Sequence, residues 1–207
     1  MPKALPLKFY RRDTETVARE LLGCRLVHVV GGQRLSGRIV ETEAYLGIGD
    51  RACHTFGDRR TERTKSMYLP GGHAYVYFIY GMHFCFNVVT RTEEHPEAVL
   101  VRAIEPLEGI ETMRSRRAVK RDRDLANGPG KLCAALAIDK KCDGLSLNGP
   151  SLFIEPGEKI DSRLVHSSRR IGVDYAGTDA ERLLRFSLAE SEFVSKALPR
   201  KPGFMRA

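Results

Sequence analysis

The sequence contains no Cys-x-x-Cys pair, and its five cysteines, at positions 24, 53, 85, 133 and 142, are odd in number. Neither a disulfide framework nor a standard zinc site is indicated, and a reducing compartment fits best. Its six histidines form no His-Glu-x-x-His or His/Cys cluster at ligand spacing, and the single His-x-Glu, His95-Pro96-Glu97, has no Cys-x-x-Cys to complete a site, so no metal is expected. No apolar run approaches the ~18 residues of a membrane span. The opening MPKALPLKFY also lacks the apolar stretch of a secretory signal, so a soluble, intracellular protein without a membrane partner is expected. The G-x-S-x-G elbow, the P-loop spacing and the G-x-G-x-x-G fingerprint are all missing, and no cofactor is expected. With no repeat, low-complexity tract or Gly/Ser linker to mark a boundary, the 207 residues read as a single domain, 1–207, and a monomer is the default.

What is present in excess is positive charge. Lys and Arg number 34 against 26 Asp and Glu, a net charge of +8, which favours an anionic partner. Nucleic acid and a membrane surface both satisfy that on charge alone. A membrane would call for a basic amphipathic helix with a strong apolar face, which residues 108–123 supply only poorly. Arg59, Arg60, Arg63 and Lys65 form one basic run, and Arg114, Arg116, Arg117, Lys120, Arg121 and Arg123 another. Each suits phosphate contacts, and each also suits an ordinary solvated face.

Asp13 stands where it would cap a helix running through Val17, Leu21 and Leu22 to a stop at Gly23. Residues 25–30 and 34–45 flank Gly31-Gly32 and read as a hairpin. Further strands fit 74–79, 83–89, 98–104 and 183–188. Helices fit 131–138 and 108–118, where Ile110, Met113 and Arg114 share a face. Stretches 119–129, 139–151 and 155–169 read as surface loops. The expected fold class is α+β, a mixed domain with strands first and helices later.

Three features bear chemistry. A period of two in IVETEAYL places Ile39, Glu41, Glu43 and Tyr45 on one strand face, opposite Val40, Thr42, Ala44 and Leu46. Two carboxylates side by side suit either a solvated face or a buried site. AVLVRAI, residues 98–104, is apolar except for Arg102, which needs a partner if it is not on an edge. Glu41 or Glu43 is the available one, and an arginine beside a carboxylate keeps the acid ionised, as a general base requires. The densest aromatic region holds Tyr75, Tyr77, Phe78, Tyr80, Phe84 and Phe86, with Tyr80-Gly81 at a hairpin tip. Such a tip can wedge between base steps, and aromatics at strand spacing also serve as plain core. Gly128-Pro129-Gly130-Lys131 opens a helix whose free NH groups suit a phosphate or a simple loop junction.

Taken together in order, ETEAYLGIGDRACH, PGGHAYVYFIYGMHFCFNVVT, VLVRAIEPLEG, GPGKLCAALAI and RIGVDYAG resemble the alkyladenine (3-methyladenine) DNA glycosylases over residues 39–177. The resemblance implies a curved antiparallel β-sheet with surrounding helices and a protruding β-hairpin that probes the minor groove. Its implied partner is double-stranded DNA containing damaged purines, and its implied reaction is hydrolysis of the N-glycosidic bond of a flipped base. By the same resemblance Glu43 activates the attacking water, with Arg102 and the backbone carbonyl of Ile171 holding that water. Tyr80 fills the space left by the flipped nucleotide. Tyr45, His54 and Tyr77 wall the base pocket, Asn87 crowds the purine 2-amino position, and Gly130 and Lys131 meet a phosphate. An electron-rich aromatic cage would also attract a positively charged alkylated purine. One conflict stands in the pattern. A two-residue hairpin pairs Tyr77 with Phe84 and puts Tyr77 and Asn87 on opposite faces, so a bulge is expected to re-aim one of them. Arg51 lies between Tyr45 and His54, where some relatives carry proline.

Overall fold

The computed structural model describes residues 4–189 and 191–195. Two short helices, α1 (Leu7–Tyr10) and α2 (Thr14–Glu20), lead the chain in. Asp13 caps α2 as expected, its carboxylate accepting from the Thr16 amide at 3.0 Å. The helix gives way at Leu21, and Gly23, at φ 86°, turns the chain into β1 (Arg25–Val30). β2 (Gln33–Tyr45) returns across a tight turn in which Gly31 and Gly32 both have positive φ. There follow β3 (Ala74–Ile79), β4 (His83–Thr90) and β5 (Glu97–Glu108). Helices α3 (Ile110–Arg116) and α4 (Pro129–Leu136) come next, then the short strands β6 (Leu152–Glu155), β7 (Val165–Ser168) and β8 (Arg185–Leu188).

All pairings are antiparallel, and the eight-stranded sheet runs β3-β4-β5-β2-β1-β6, with β8 on β2 and β7 on β8. β2 is the axis. Its first half pairs with β1 and its residues 41–43 pair with β8, while β5 runs along the other side of it through Tyr45. α2, α3 and α4 cover one face of the sheet. There Val17, Ala18, Met113, Leu132 and Leu136 meet Val40, Ala44, Val76, Phe86, Val99 and Val101 in one buried cluster. The opposite face of β3, β4, β5 and β2 is left for the polar and aromatic residues described below. No helix among the described residues is long and apolar enough to cross a membrane.

Several expectations need correction. The stretch 155–169, read as a loop because it is polar, contains β7; a four-residue strand of half-buried residues carries no clear alternation. The helix expected over 108–118 spans only Ile110–Arg116, and Arg114 is on its exposed side, paired with Glu111 and Asp122, while Met113 is buried. Ile39 does not share a face with Glu41. Across β2 and β5 the pairing passes from Ile39–Ile104 to Glu41–Ala103 and then to Thr42–Val101, so Val40 and then Arg102 are skipped. These two offsetting bulges put Ile39 and Val40 both in the core. The hairpin conflict resolves without a bulge in the ladder. Ile79 pairs with His83 across a connection that includes Met82, so Tyr77 faces Cys85 and Tyr75 faces Asn87. One extra residue in the turn, rather than in a strand, puts Tyr75, Tyr77 and Asn87 on a common face.

Gly23 is under two constraints at once. A Cβ there would sit 2.4 Å from the Glu158 carbonyl oxygen, and the positive φ is strained for any L side chain. Gly23→Ala is expected to lower unfolding free energy by about 2–4 kcal/mol, measured by urea denaturation; a loss within half a kilocalorie of zero would show that the junction relaxes freely.

Candidate active site

On the uncovered face of the sheet, a cleft of about 450 Å³ opens between the β3–β4 hairpin, the start of α4 and the loop after β7. Tyr45, His54, Tyr77, Asn87, Arg102, Gly130, Lys131, Ile171 and Tyr80 all line it. Every candidate residue from the sequence except Glu43 therefore contributes to one cavity wall. Glu43 lies one layer behind, fully buried, and the groups that line the cleft in front of it are the groups that bind it.

Three donors converge on its carboxylate. Arg102 Nη1 reaches Oε2 at 3.2 Å, the Tyr45 hydroxyl donates to the same oxygen at 2.8 Å, and the Ile171 amide donates to Oε1 at 2.8 Å. Ile171 thus meets Glu43 through its N–H, a contact the sequence resemblance did not include. Arg102 lies on β5 between β4 and β2, not on an edge, and it bridges both acids, with Nε on Glu41 Oε1 at 3.1 Å. Burial works against its charge, but Glu43 and Glu41 outweigh that and hold its pKa above the ordinary arginine value. Burial also pushes the Tyr45 phenol well up, with Glu43 adding to the shift, so its proton stays available to donate.

Glu41 anchors a second layer. Arg185 Nε binds its Oε1 at 2.6 Å, and the Ser195 amide and hydroxyl bind it at 2.5 and 2.8 Å. Every partner is supplied by a different segment, β5, β8 or the chain after it. A further ion pair lies below Tyr45: Arg170 and Asp50, both side chains fully buried, meet at 2.5 and 2.9 Å. Burial would raise the Asp50 pKa, but hydrogen bonds from Arg170 and from the Leu46 and Ala52 amides hold it below the usual carboxylate range. Sequence reasoning missed Asp50, Arg170 and Arg185. Charged residues in loops and short strands carry no burial signal, and although ETEAYLGIGDRACH contains Asp50 and RIGVDYAG contains Arg170, neither was given a role there.

The aromatic wall is compact. His54 and Tyr77 meet edge to face, with centroids 4.6 Å apart and planes at 82°, and Tyr75 lies behind with its hydroxyl 2.8 Å from His54 Nδ1. Asn87 is fixed by donating to the Tyr75 carbonyl at 3.0 Å. Guanidinium groups stand over the rings, Arg63 4.8 Å from the Tyr77 centroid and Arg170 4.9 Å from that of Tyr45. Arg51 is exposed and is not on the cleft wall.

At the mouth, Tyr80 is 80 % exposed at the hairpin tip, with φ 54°, beside Gly81 at 65°. Met82 at 69 % and Tyr175 at 70 % are also exposed there. Gly128 precedes α4, Gly130 packs so tightly on His83 that a Cβ would approach its ring at 2.9 Å, and Lys131 Nζ donates to Asn127 at 2.8 Å. Much of the basic excess is neutralised locally: Arg60 pairs with Glu94, Lys65 with Glu62, Arg114 with Asp122, Arg121 with Asp124 and Arg123 with Glu192.

Burial, then Arg63 and Arg59, push the His54 imidazole down to about 4. The folded value lies below that of the unfolded chain, near 6.5, so this contribution to stability is complete above pH 6.5 and is lost as pH falls toward 4. Urea unfolding at pH 7 and pH 5 is expected to show a smaller acid loss for His54→Gln than for the unaltered protein, and an imidazole NMR titration centred near 6.5 in the folded state would contradict the burial argument.

A relative from Bdellovibrio bacteriovorus is 53% identical over 196 residues, covering 93% of this chain and 98% of its own. One from Clostridium acetobutylicum is 50% identical over 196 residues, covering 91% and 95%. A third, from Desulfitobacterium hafniense, is 48% identical over 201 residues. All three carry the name 3-methyladenine DNA glycosylase. The sequence profile of the methylpurine-DNA glycosylases matches residues 8–192, and the chain belongs to that family.

Proposed function

We propose that this protein is a monofunctional DNA repair glycosylase that flips alkylated or deaminated purines out of duplex DNA and hydrolyses their N-glycosidic bond. The purines are of the 3-methyladenine, 7-methylguanine, hypoxanthine and ethenoadenine class. The observation that carries the reading is the Glu43 carboxylate, buried directly behind an aromatic cleft and held by Arg102, Tyr45 and the Ile171 amide. A carboxylate offers about four acceptor positions, and those donors occupy three, leaving one for a water. Because Glu43 is closed off from solvent, that water is a single molecule held between the carboxylate and the wall, with Arg102 and the Ile171 carbonyl orienting it. Glu43 takes a proton from the water, the oxygen bonds to the sugar carbon, and the purine departs with the electrons of the broken bond. An alkylated, cationic purine leaves neutral, whereas a neutral lesion must also gain a proton. The product is an abasic site in an uncut strand.

The other residues act on binding. Tyr45 and the His54–Tyr77 wall stack on the extruded base, Asn87 stands against the position of a 2-amino group, and Gly130 with Lys131 faces a backbone phosphate. Tyr80 enters the duplex where the nucleotide has left, at an unstacking cost of a few kcal/mol that the stacking contacts offset.

Glu43→Gln is expected to lower single-turnover excision of a methylated purine by about 10²- to 10⁴-fold while lesion-duplex affinity persists; unchanged excision would remove Glu43 as the base. Tyr80→Ala removes an exposed ring, so its thermal midpoint is expected to stay at the wild-type value. Its affinity for lesion duplex is expected to fall roughly 5- to 100-fold, the worth of one stacked base. Equal affinity of the two proteins would dispose of the wedge.

A further inference from the structure

Two of the tyrosines that line the cleft, Tyr45 and Tyr77, each carry a guanidinium on the ring, but the two charges are not equivalent. Arg170, over Tyr45, is fully buried against Asp50, so its charge is cancelled where it stands. Arg63, over Tyr77, is solvent-exposed and makes no ion pair among the described residues. Neither arginine is among the residues that line the cleft. An aromatic face attracts a cation through its quadrupole, and a cation already seated on one face weakens that attraction at the other and repels through the ring.

We infer that Arg63 is a specificity-determining residue that tilts the base slot toward neutral lesions and away from cationic N-alkylated purines. The inference rests on the proposed glycosylase activity and deepens it. A bare tyrosine and histidine wall would favour the positively charged base. Here the Tyr77 part of that wall is backed by an uncompensated positive charge, whereas the Tyr45 part is backed by a neutral pair. The field of Arg63 reaches the slot itself, since with Arg59 it helps to hold the His54 imidazole down at about 4 after burial. His54 touches Tyr77 at 4.6 Å, so the two rings and the guanidinium form one unit. Neutral purines, which stack through dispersion and surface contact, lose little from this arrangement.

Arg63 is also near enough to the cleft to meet a phosphate, and a ratio separates the two roles. Single-turnover excision is measured on duplexes carrying hypoxanthine, which is neutral, and 7-methylguanine, which is cationic as the nucleoside. Arg63→Gln is expected to raise the 7-methylguanine to hypoxanthine rate ratio by about three- to tenfold, and Arg63→Lys, which keeps the charge, to leave it within twofold of the starting value. If Arg63→Gln slows both substrates by the same factor, the arginine acts on the backbone and the proposal is overturned. Should the unaltered protein excise neither base, the glycosylase reading itself fails, and this inference falls with it.

Discussion

Glu41, Glu43 and Arg102 are buried together across β2 and β5, and the rest of the site depends on that triad. Desolvating two carboxylates and a guanidinium is costly unless each charge is met by a partner in good geometry. Here one guanidinium is shared between both acids, so a second cation is needed, and Arg185 supplies it at 2.6 Å from Glu41. Ser195, the Ile171 amide and the Tyr45 hydroxyl then take up acceptor positions that would otherwise be left buried and empty. Replacing a buried ion network with aliphatic residues of the same volume is often neutral or stabilising, so stability alone does not account for these four buried charges. The cost of burial is met in pairs, and only Glu43 is placed directly behind the cleft.

The bulges follow from the same demand. An unbroken β2–β5 ladder alternates faces strictly, and shifting the register by one residue would move every side chain to the wrong side. Skipping Val40 on one strand and Arg102 on the other restores the register after two residues while re-aiming a short stretch. That stretch carries Glu41 and Arg102, and the ladder beyond it keeps Ala44 in the core and Tyr45 on the cleft. The hairpin solves a related problem differently. Adding Met82 to the turn shifts β4 against β3 and brings Asn87 to the face of Tyr75 and Tyr77. It also leaves Tyr80 in a left-handed conformation that costs a tyrosine about 1 kcal/mol or more. Strain of that kind at an exposed tip, where no packing rewards it, is consistent with selection for the direction in which the ring points.

Much of this was legible in the sequence wherever period and chemistry coincided. β3 and the first hairpin match their expected residues almost to the end, because apolar and aromatic positions recur with glycines at the turns. The solitary arginine in an apolar strand correctly announced a buried carboxylate partner, and both candidates turned out to be partners. What was not legible had a common cause. β7 is four residues long, too short for a period to emerge, and β8, although expected over 183–188, carries no sign that its Arg185 is buried against Glu41. Asp50 and Arg170 are 120 residues apart and look like solvated charges until the fold brings them together. The offset of Tyr77 against Asn87 hinged on a single turn residue, and turn length is a property of φ and ψ, not of hydrophobic pattern.

The same distribution of partners shapes the charge inside the cleft. Positive residues on the surface differ in how they are paired: Arg114 is answered by Asp122, whereas Arg59 and Arg63 have no ion pair among the described residues, so the net charge of +8 is not spread evenly over the fold. Near the cleft the pairing is uneven in another sense. The acidic end has three of its roughly four acceptor positions taken by buried donors, which makes Glu43 a directed acceptor and not a source of broad negative potential. The Tyr77 end keeps Arg63 without a counter-ion among the described residues. A slot with its negative charge committed and its positive charge free cannot select purines by electrostatic attraction to a cation alone. Under the proposed function, recognition is left to stacking against Tyr45, His54 and Tyr77 and to the fit at Asn87, interactions that tolerate several purines and discriminate by shape. On that proposal, breadth of substrate follows from how the ions are paired, as much as from which aromatic residues line the wall.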